Sequence, residues 1–239
     1  TVRDNIHDGY LFMATKHGLV KKTPLSEFKN LRKSGLIAIN LREGDELLKV
    51  KVTRGDADII IVSQEGNAIK FNEQDVRPMG RTASGVKSMN LRENDIAVCM
   101  DIAVDDEELL VISENGYGKR TPVSEYKRQN RGGVGLITYK ISEKTGKVVG
   151  AIVCKNDDEL MLINTSGIAI RINVSDISVT SRSAMGVRLM RTSEEEKVVA
   201  IAKIAKTGDE EKDEQLSLEA CADNEVVEAN KDTSLDRLV

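Results

Sequence analysis

The chain has 239 residues, 39 acidic and 35 basic, and a formal net charge of −4. That total argues against a nucleic-acid binder until the charge is divided along the chain. Hydrophobic residues at 40% exclude wholesale disorder, and 3% aromatics with no Trp exclude a stacking platform for single strands.

The first residues, Thr1-Val2-Arg3-Asp4-Asn5, carry neither an initiator Met nor a leader's apolar core, so the chain reads as a piece of a longer protein. Asp4 and Asp8 stand where acidic residues precede the later units. Four segments then repeat: LFMATKHGLVKKTPLSEF (11–28), IIIVSQEGNAIKFNEQDV (59–76), LLVISENGYGKRTPVSEY (109–126) and LMLINTSGIAIRINVSDI (160–177). The turn glycines Gly18, Gly66, Gly116 and Gly167 are 48, 50 and 51 residues apart. A second register, Gly35, Gly85, Gly135 and Gly186, is spaced by 50, 50 and 51. Two glycine registers with one period define a tandem array of about fifty-residue units.

Each unit reads as β structure. An apolar run leads to a turn that ends in Gly, whose positive φ closes a hairpin, and an alternating strand returns. A short turn with one carboxylate follows (Glu27, Asp75, Glu125 or Asp176), expected to cap backbone N–H groups. Next come a basic glycine-containing loop, a second strand (LIAINL, VKSMNL, LITYKI or VRLMRT) and a third apolar strand. The fold class is therefore all-β, a propeller-like array of four-stranded blades. The units run over 9–58, 59–108, 109–159 and 160–206; the acidic stretch 207–239 reads as a disordered tail with room for a short helix around Gln215–Ala222.

Motifs for catalysis are missing. His7 and His17 have no ligand at metal spacing, and no phosphate loop, dinucleotide fingerprint or nucleophile elbow occurs. Cys99, Cys154 and Cys221 are scattered, with neither a disulfide framework nor a metal knuckle, which fits a reducing cytosol. No apolar run approaches the roughly 18–20 residues that span a bilayer, so no membrane partner is expected.

Cations, by contrast, follow the repeat. Arg81, Arg131 and Arg182 stand four residues before the second glycine register, where the first unit has Leu31 followed by Arg32. The returning strands carry Lys21, Lys22, Lys70, Lys119, Arg120 and Arg171, and the loops add Lys29, Lys33, Arg77, Lys87, Lys127, Arg128 and Arg188. Cations recurring at one structural position predict a belt along one rim, suited to a duplex that presents a charge about every 1.7 Å. The bland alternative is an ordinary solvated surface. In Gln129-Asn130-Arg131-Gly132-Gly133-Val134-Gly135 the side-chain-free residues Gly132, Gly133 and Gly135 are expected to let backbone N–H groups approach a phosphate, with arginines alongside.

The strings FMAT-x-x-G-x-V-K-K-T (12–23), S-G-V-K (84–87), N-G-Y-G-K-R-T (115–121) and V-V-G-A-I-V (148–153) resemble the DNA gyrase A C-terminal domain family over residues 1–206. The resemblance implies a β-pinwheel, whose blades exchange strands with their neighbours and whose basic rim wraps duplex DNA. It implies bending without sequence readout, and delivery of the wrapped segment to a breakage–reunion core for ATP-dependent negative supercoiling. Gln129–Gly135 is similar to that family's heptapeptide Q-R-R-G-G-K-G, with Asn130 for an Arg and Val134 for a Lys; it reads as a degenerate copy, the principal one lying upstream with further blades. The partners implied are double-stranded DNA, the N-terminal breakage–reunion domain of gyrase A, and gyrase B, in a bacterial cytoplasm near the nucleoid. No cofactor is expected in this chain; ATP and Mg belong to the whole enzyme, as does the nucleophilic tyrosine, and Tyr10, Tyr117, Tyr126 and Tyr139 read as packing residues. Two alternatives stay open: the equivalent domain of topoisomerase IV, and a protein-binding propeller with no DNA role.

Divided along the chain, the charge changes meaning. Residues 207–239 hold 11 acidic and 3 basic side chains, a charge of −8, and residues 1–206 hold 28 acidic and 32 basic, a charge of +4. A mildly cationic body thus joins an anionic tail, which is expected to compete with DNA for the rim.

Overall fold

The structure is a computed structural model that describes residues 8–29, 35–193 and 195–204. The expected tail with its short helix, Arg32 and Lys33 lie outside the described residues. The strands in chain order are β1 (Tyr10–Thr15), β2 (Leu19–Pro24) and β3 (Leu47–Thr53), then β4 (Asp58–Ser63), β5 (Asn67–Asn72), β6 (Val86–Lys87) and β7 (Ala97–Ile102). They continue with β8 (Glu108–Ser113), β9 (Tyr117–Pro122), β10 (Leu136–Ile137) and β11 (Val148–Cys154), then β12 (Glu159–Asn164), β13 (Ala169–Asn173), β14 (Val187–Arg188) and β15 (Val198–Ile204). Between them the helical segments described are single 3₁₀ turns, such as Glu73–Asp75 and Val123–Glu125.

Four antiparallel sheets result, in strand order β3-β1-β2-β6, β10-β5-β4-β7, β11-β8-β9-β14 and β13-β12-β15. The hairpin turns end at Gly18, Gly66, Gly116 and Gly167, all with φ between 75° and 79°. Each of the first three sheets is completed by a strand from the following unit. Val86 pairs with Val20, Leu136 with Ala68 and Val187 with Gly118. The architecture is therefore the all-β pinwheel, with each later unit lending a sheet edge back to the one before it.

This exchange shortens the expected second strands. Only two residues of each pair in a ladder before the chain turns inward, and residues 36–41 form no strand. The turn inward is held by the hairpin glycines, whose carbonyls accept from Ser88 N (Gly18, 2.9 Å), Thr138 N (Gly66, 2.8 Å) and Leu189 N (Gly116, 2.8 Å). The second glycine register serves the same crossing. A Cβ on Gly85, Gly135 or Gly186 would stand 2.5, 2.4 or 2.2 Å from a carbonyl oxygen of the accepting strand. Only glycine fits there.

The third strands β3, β7 and β11 neighbour one another in succession, and with β15 they enclose a central cavity of about 230 Å³, lined in part by Lys49, Asp101, Ala151 and Ile201. The exchanged strands occupy the opposite, outer edge of the first three sheets. Sheets between two neighbours are covered on both faces, so Ile59–Val62 on β4 and Leu109–Ile112 on β8 are buried without a break. β12 instead alternates buried and half-buried positions. Each fully buried Ile or Leu contributes about 1.5–3 kcal/mol by its removal from water.

The expected capping carboxylates do not cap. Asn72 Oδ1 accepts from Gln74 N in the second unit, while Asp75 is exposed. The buried carboxylate is Glu73, which accepts from Gly55 N, Ala57 N and Thr53 Oγ1 at 2.9, 2.8 and 2.7 Å and lies 3.8 Å from Lys22 Nζ. It ties the link between the first two units to the second hairpin.

Candidate nucleic-acid interface

The returning strands β2, β5 and β9 are buried in the array, and this removes five expected rim cations from the surface. Lys21, Lys22, Lys70, Lys119 and Arg120 are 0–5% exposed. Their charged ends hold the unit that follows. Lys21 Nζ donates to the carbonyls of Ala38 and Arg81, and Lys119 Nζ to those of Ser181 and Arg182. Lys22 donates to Glu73 O at 2.9 Å and stands over the Tyr10 ring at 4.9 Å. Lys70 pairs with Asp105 at 2.7 Å, and Arg120 with Glu108 at 2.6 Å while its Nε donates to Ile177 O. Burial, and then the nearby Arg81, lower the Lys21 ammonium to about 8. Burial likewise lowers Lys119 to about 8, against a smaller opposing pull from Glu125. These five are corrected from rim contacts to tethers of the rim loops. A lysine in an alternating strand looks solvent-facing; the exchanged loop that covers it comes from the next unit.

The outer edge keeps the other cations. Lys29, Arg77, Lys87, Lys127, Arg128, Arg171 and Arg188 are exposed, and Arg81, Arg131 and Arg182 are half-buried. The last three share one geometry. Arg81 Nη1 donates to Ile37 O at 3.4 Å, Arg131 Nη1 to Lys87 O at 3.0 Å and Arg182 Nη1 to Ile137 O at 3.5 Å. Ile37, Lys87 and Ile137 are the same repeat position, so Arg131 and Arg182 bond their own loops to the exchanged segment one unit earlier, and Arg81 bonds its loop to the equivalent segment of the first unit. Arg131 Nε also donates to Asp75 O at 2.9 Å. The arginines thus form a stitched row along the edge and bring the loops at 77–88, 127–138 and 178–189 into line.

Two exposed cations are already paired. Arg128 forks onto Asp58 Oδ2 through Nε and Nη2 at 3.1 and 2.8 Å, and Arg171 pairs with Glu159. The Asp58 carboxylate raises the Arg128 guanidinium further above its ordinary value. Gln129 N donates to Lys70 O at 2.8 Å, which starts the loop on the second sheet. The glycines do less for an anion than expected. Gly132 N donates to Ser88 O at 2.6 Å, and Gly133 O accepts from Asn90 N, so both serve the neighbouring loop. Gly132 and Gly135 take φ of 84° and 81°, and Gly133 does not lie in that region. Charge at this edge therefore comes from side chains more than from a backbone cradle.

The repeat also points to cations outside the expected set. Lys140 and Arg191 are exposed at the position of Asn90, three residues beyond the exchanged strand. The aligned repeat holds that signal, once the exchanged segment is known to reach the outer edge. The buried thiols of Cys99 and Cys154 are raised to about 12 by burial and act as small apolar groups. No group of three His, Cys, Asp or Glu among the described residues is placed to hold a metal, and no described helix is long and apolar enough to cross a membrane.

The model of the DNA gyrase C-terminal domain, beta-propeller, matches residues 9–54, 57–98, 107–155 and 158–205. DNA gyrase A of Clostridium acetobutylicum is 64% identical over 211 residues, covering 88% of this chain and 25% of the relative. DNA gyrase A of Escherichia coli K12 is 39% identical over 201 residues, covering 84% and 23%. The chain spans about a quarter of the length of these relatives. A solved gyrase A C-terminal domain superposes with a TM-score of 0.77 at 31% identity, covering 85% of this chain and 68% of that one. A solved topoisomerase IV C-terminal domain gives 0.80 at 29% identity, covering 85% and 64%. With four successive units matched and the strand exchange in place, the chain belongs to the DNA gyrase C-terminal domain family.

Proposed function

We propose that the chain binds the backbone of duplex DNA along its outer edge and bends it, without reading sequence, for the breakage–reunion core of a gyrase that supercoils DNA with ATP. The observation that carries this reading is the stitched row of Arg81, Arg131 and Arg182, flanked by exposed Arg77, Lys87, Lys127, Arg128 and Arg188. Phosphate contacts position DNA and carry no sequence information, so counterion release supplies the affinity. Bending costs on the order of 1–6 kcal/mol per 20–30 bp, which several contacts along an arc offset. The partners in this reading are DNA, the breakage–reunion domain of gyrase A, and gyrase B, in the bacterial cytoplasm at the nucleoid.

The 64% identity to a gyrase A protein favours gyrase over topoisomerase IV as the parent enzyme. Retardation of a duplex of about 150 bp, one persistence length, tests the reading. Binding that weakens as salt rises is expected. No retardation at low salt, with residues 207–239 removed, would leave the protein-binding propeller in its place.

A further inference from the structure

Where successive units meet at the hairpin ends, one contact repeats with a single change. Lys147, just before β11, reaches back to Glu65 in the preceding hairpin turn at 2.7 Å. The same repeat position before β15 is Lys197, and the residue in place of Glu65 is Asn115. Lys197 Nζ donates to Asn115 Oδ1, and Asn115 Nδ2 donates to the carbonyls of Glu143 and Lys144, each at 3.1 Å. The lysine keeps its place, but an amide has replaced the carboxylate that neutralised it.

Two further cations line the same hollow, whose volume is about 260 Å³. Arg188 donates through Nε and Nη2 to the Tyr117 hydroxyl at 3.1 and 2.7 Å, with Cζ 5.2 Å from the ring centre. Lys144 Nζ lies 5.4 Å from that ring centre. Thr192 and Ser193 complete the lining. None of these three cations forms an ion pair with a described carboxylate. Glu196, close by, is held by Ser193 N in its own turn and by the hydroxyl of Ser166 in the turn between β12 and β13. Three cations with no ion-pair partner among the described carboxylates, around one hollow, form a setting for an anion.

We propose that this hollow is a phosphate subsite that takes a backbone phosphate of duplex DNA; the inference rests on the DNA reading above. Lys144 and Lys197 belong to turns that lead into the inner strands β11 and β15, so the subsite extends the contact surface off the row of exchanged loops. Arg188 belongs to both, which joins the hollow to that row and favours a polymer's phosphate over a free one. At the preceding junction Ile137 replaces Arg188 and Glu65 neutralises Lys147, so that hollow lacks the charge.

The test uses the full chain, a duplex of about 150 bp and affinities between about 50 and 200 mM salt. Lys144→Gln with Lys197→Gln is expected to make the slope of log affinity against log salt shallower by about 2, and Asn115→Glu by about 1. Asn115→Glu recreates the pairing at Lys147, so it keeps the test usable if the double variant unfolds. Unchanged slopes in both, while Arg128→Gln with Arg131→Gln weakens binding, would overturn the subsite and leave the DNA reading standing. Absence of duplex binding by the unmodified chain would overturn both. Inorganic phosphate that perturbs the Tyr117 resonances while the variants keep their slopes would assign the hollow to a free anion instead.

Discussion

Arg131 donates its guanidinium to the carbonyl of Lys87 at 3.0 Å, so one loop of the outer edge is bonded to the exchanged segment of the unit before it. The same side chain donates to Asp75 O at 2.9 Å, and a fork of this kind has two jobs. It fixes loop geometry, and it places a positive charge at the edge. Arg131→Lys keeps the charge but cannot fork, so nonspecific affinity and its salt slope should hold while bending falls. Arg131→Ala should lose both, with the salt slope shallower by about 1. Energy transfer between the labelled ends of a duplex reads bending, and retardation reads affinity. Equal bending by the chain and its Arg131→Lys variant would count against the stitching role.

The glycines separate into three classes with different expected costs. Gly135→Ala and Gly186→Ala place a Cβ 2.4 and 2.2 Å from a backbone carbonyl in the positive-φ region. Each should destabilise by more than the roughly 1–3 kcal/mol of the backbone conformation alone. Gly35 shares that conformation with φ +78 but meets no described atom within 4 Å, so Gly35→Ala should cost about 1–2 kcal/mol. Gly133→Ala meets Ile69 Cδ1 at 3.7 Å and Asn130 O and Gln129 Oε1 at 3.8 Å, all ordinary contact distances, and should be near neutral. Denaturant unfolding of the four variants gives the order, and a costly Gly133→Ala would contradict it.

The repeat, the hairpins and the array were legible in the sequence because positive φ and strand period leave residue signatures that recur. The exchange was not legible as geometry. Val86, Leu136 and Val187 read as openings of longer strands, since nothing local tells which sheet a segment will join. The misplacement of Lys21, Lys70 and Lys119 follows from the same gap, because a loop one unit onward covers them. Glu73 escaped notice because its partners Thr53, Gly55 and Ala57 lie up to 20 residues away in an irregular link. The stitching role of Arg81, Arg131 and Arg182 needed both the repeat register and the exchange.

Lys119 carries a pH signature. Its ammonium is lowered from 10.5 to about 8 in the folded chain, mainly by burial. Between about pH 8 and 10.5 the unfolded chain therefore holds the proton that the folded chain has released. Folding stability from this group rises with pH across that window and is lowest below it. The stability difference between the unmodified chain and Lys119→Met should shift in favour of the unmodified chain from pH 7.5 to pH 9.5, values on either side of about 8. Taking the difference cancels Cys99 and Cys154, whose raised values act in the opposite direction above pH 9. Guanidinium midpoints at the two pH values provide the measurement, and a constant difference would show that burial does not depress this lysine.

Asp58 occupies Arg128 much as a phosphate would, with two bonds from the guanidinium fork to one oxygen at 3.1 and 2.8 Å. Its other oxygen accepts from Asn72 Nδ2 at 3.0 Å, so the carboxylate is anchored while the arginine stays exposed. Exposed pairs contribute about 0–1 kcal/mol to folding, so Asp58→Asn should cost little stability. It removes a negative charge beside the loops and frees the fork, and duplex affinity at low salt should rise several-fold. The gain should shrink as salt screens the site beyond a Debye length of about 8–10 Å. Weaker binding by Asp58→Asn would mean that the carboxylate holds Arg128 in the pose that DNA needs.

The charge of −8 carried by residues 207–239 faces a body charge of only +4, so the tail can outweigh the edge in a field that is not screened. If these carboxylates compete with phosphates for the loops, a chain ending at residue 206 should bind duplex more tightly at low salt. The advantage should fade as salt rises, because competitor and ligand are screened alike. A tail scrambled in sequence but equal in composition should restore the weaker binding, since the effect depends on charge. Equal affinity with and without residues 207–239 would separate the tail from the interface, and restoration by the native order alone would point to a specific contact rather than a general field.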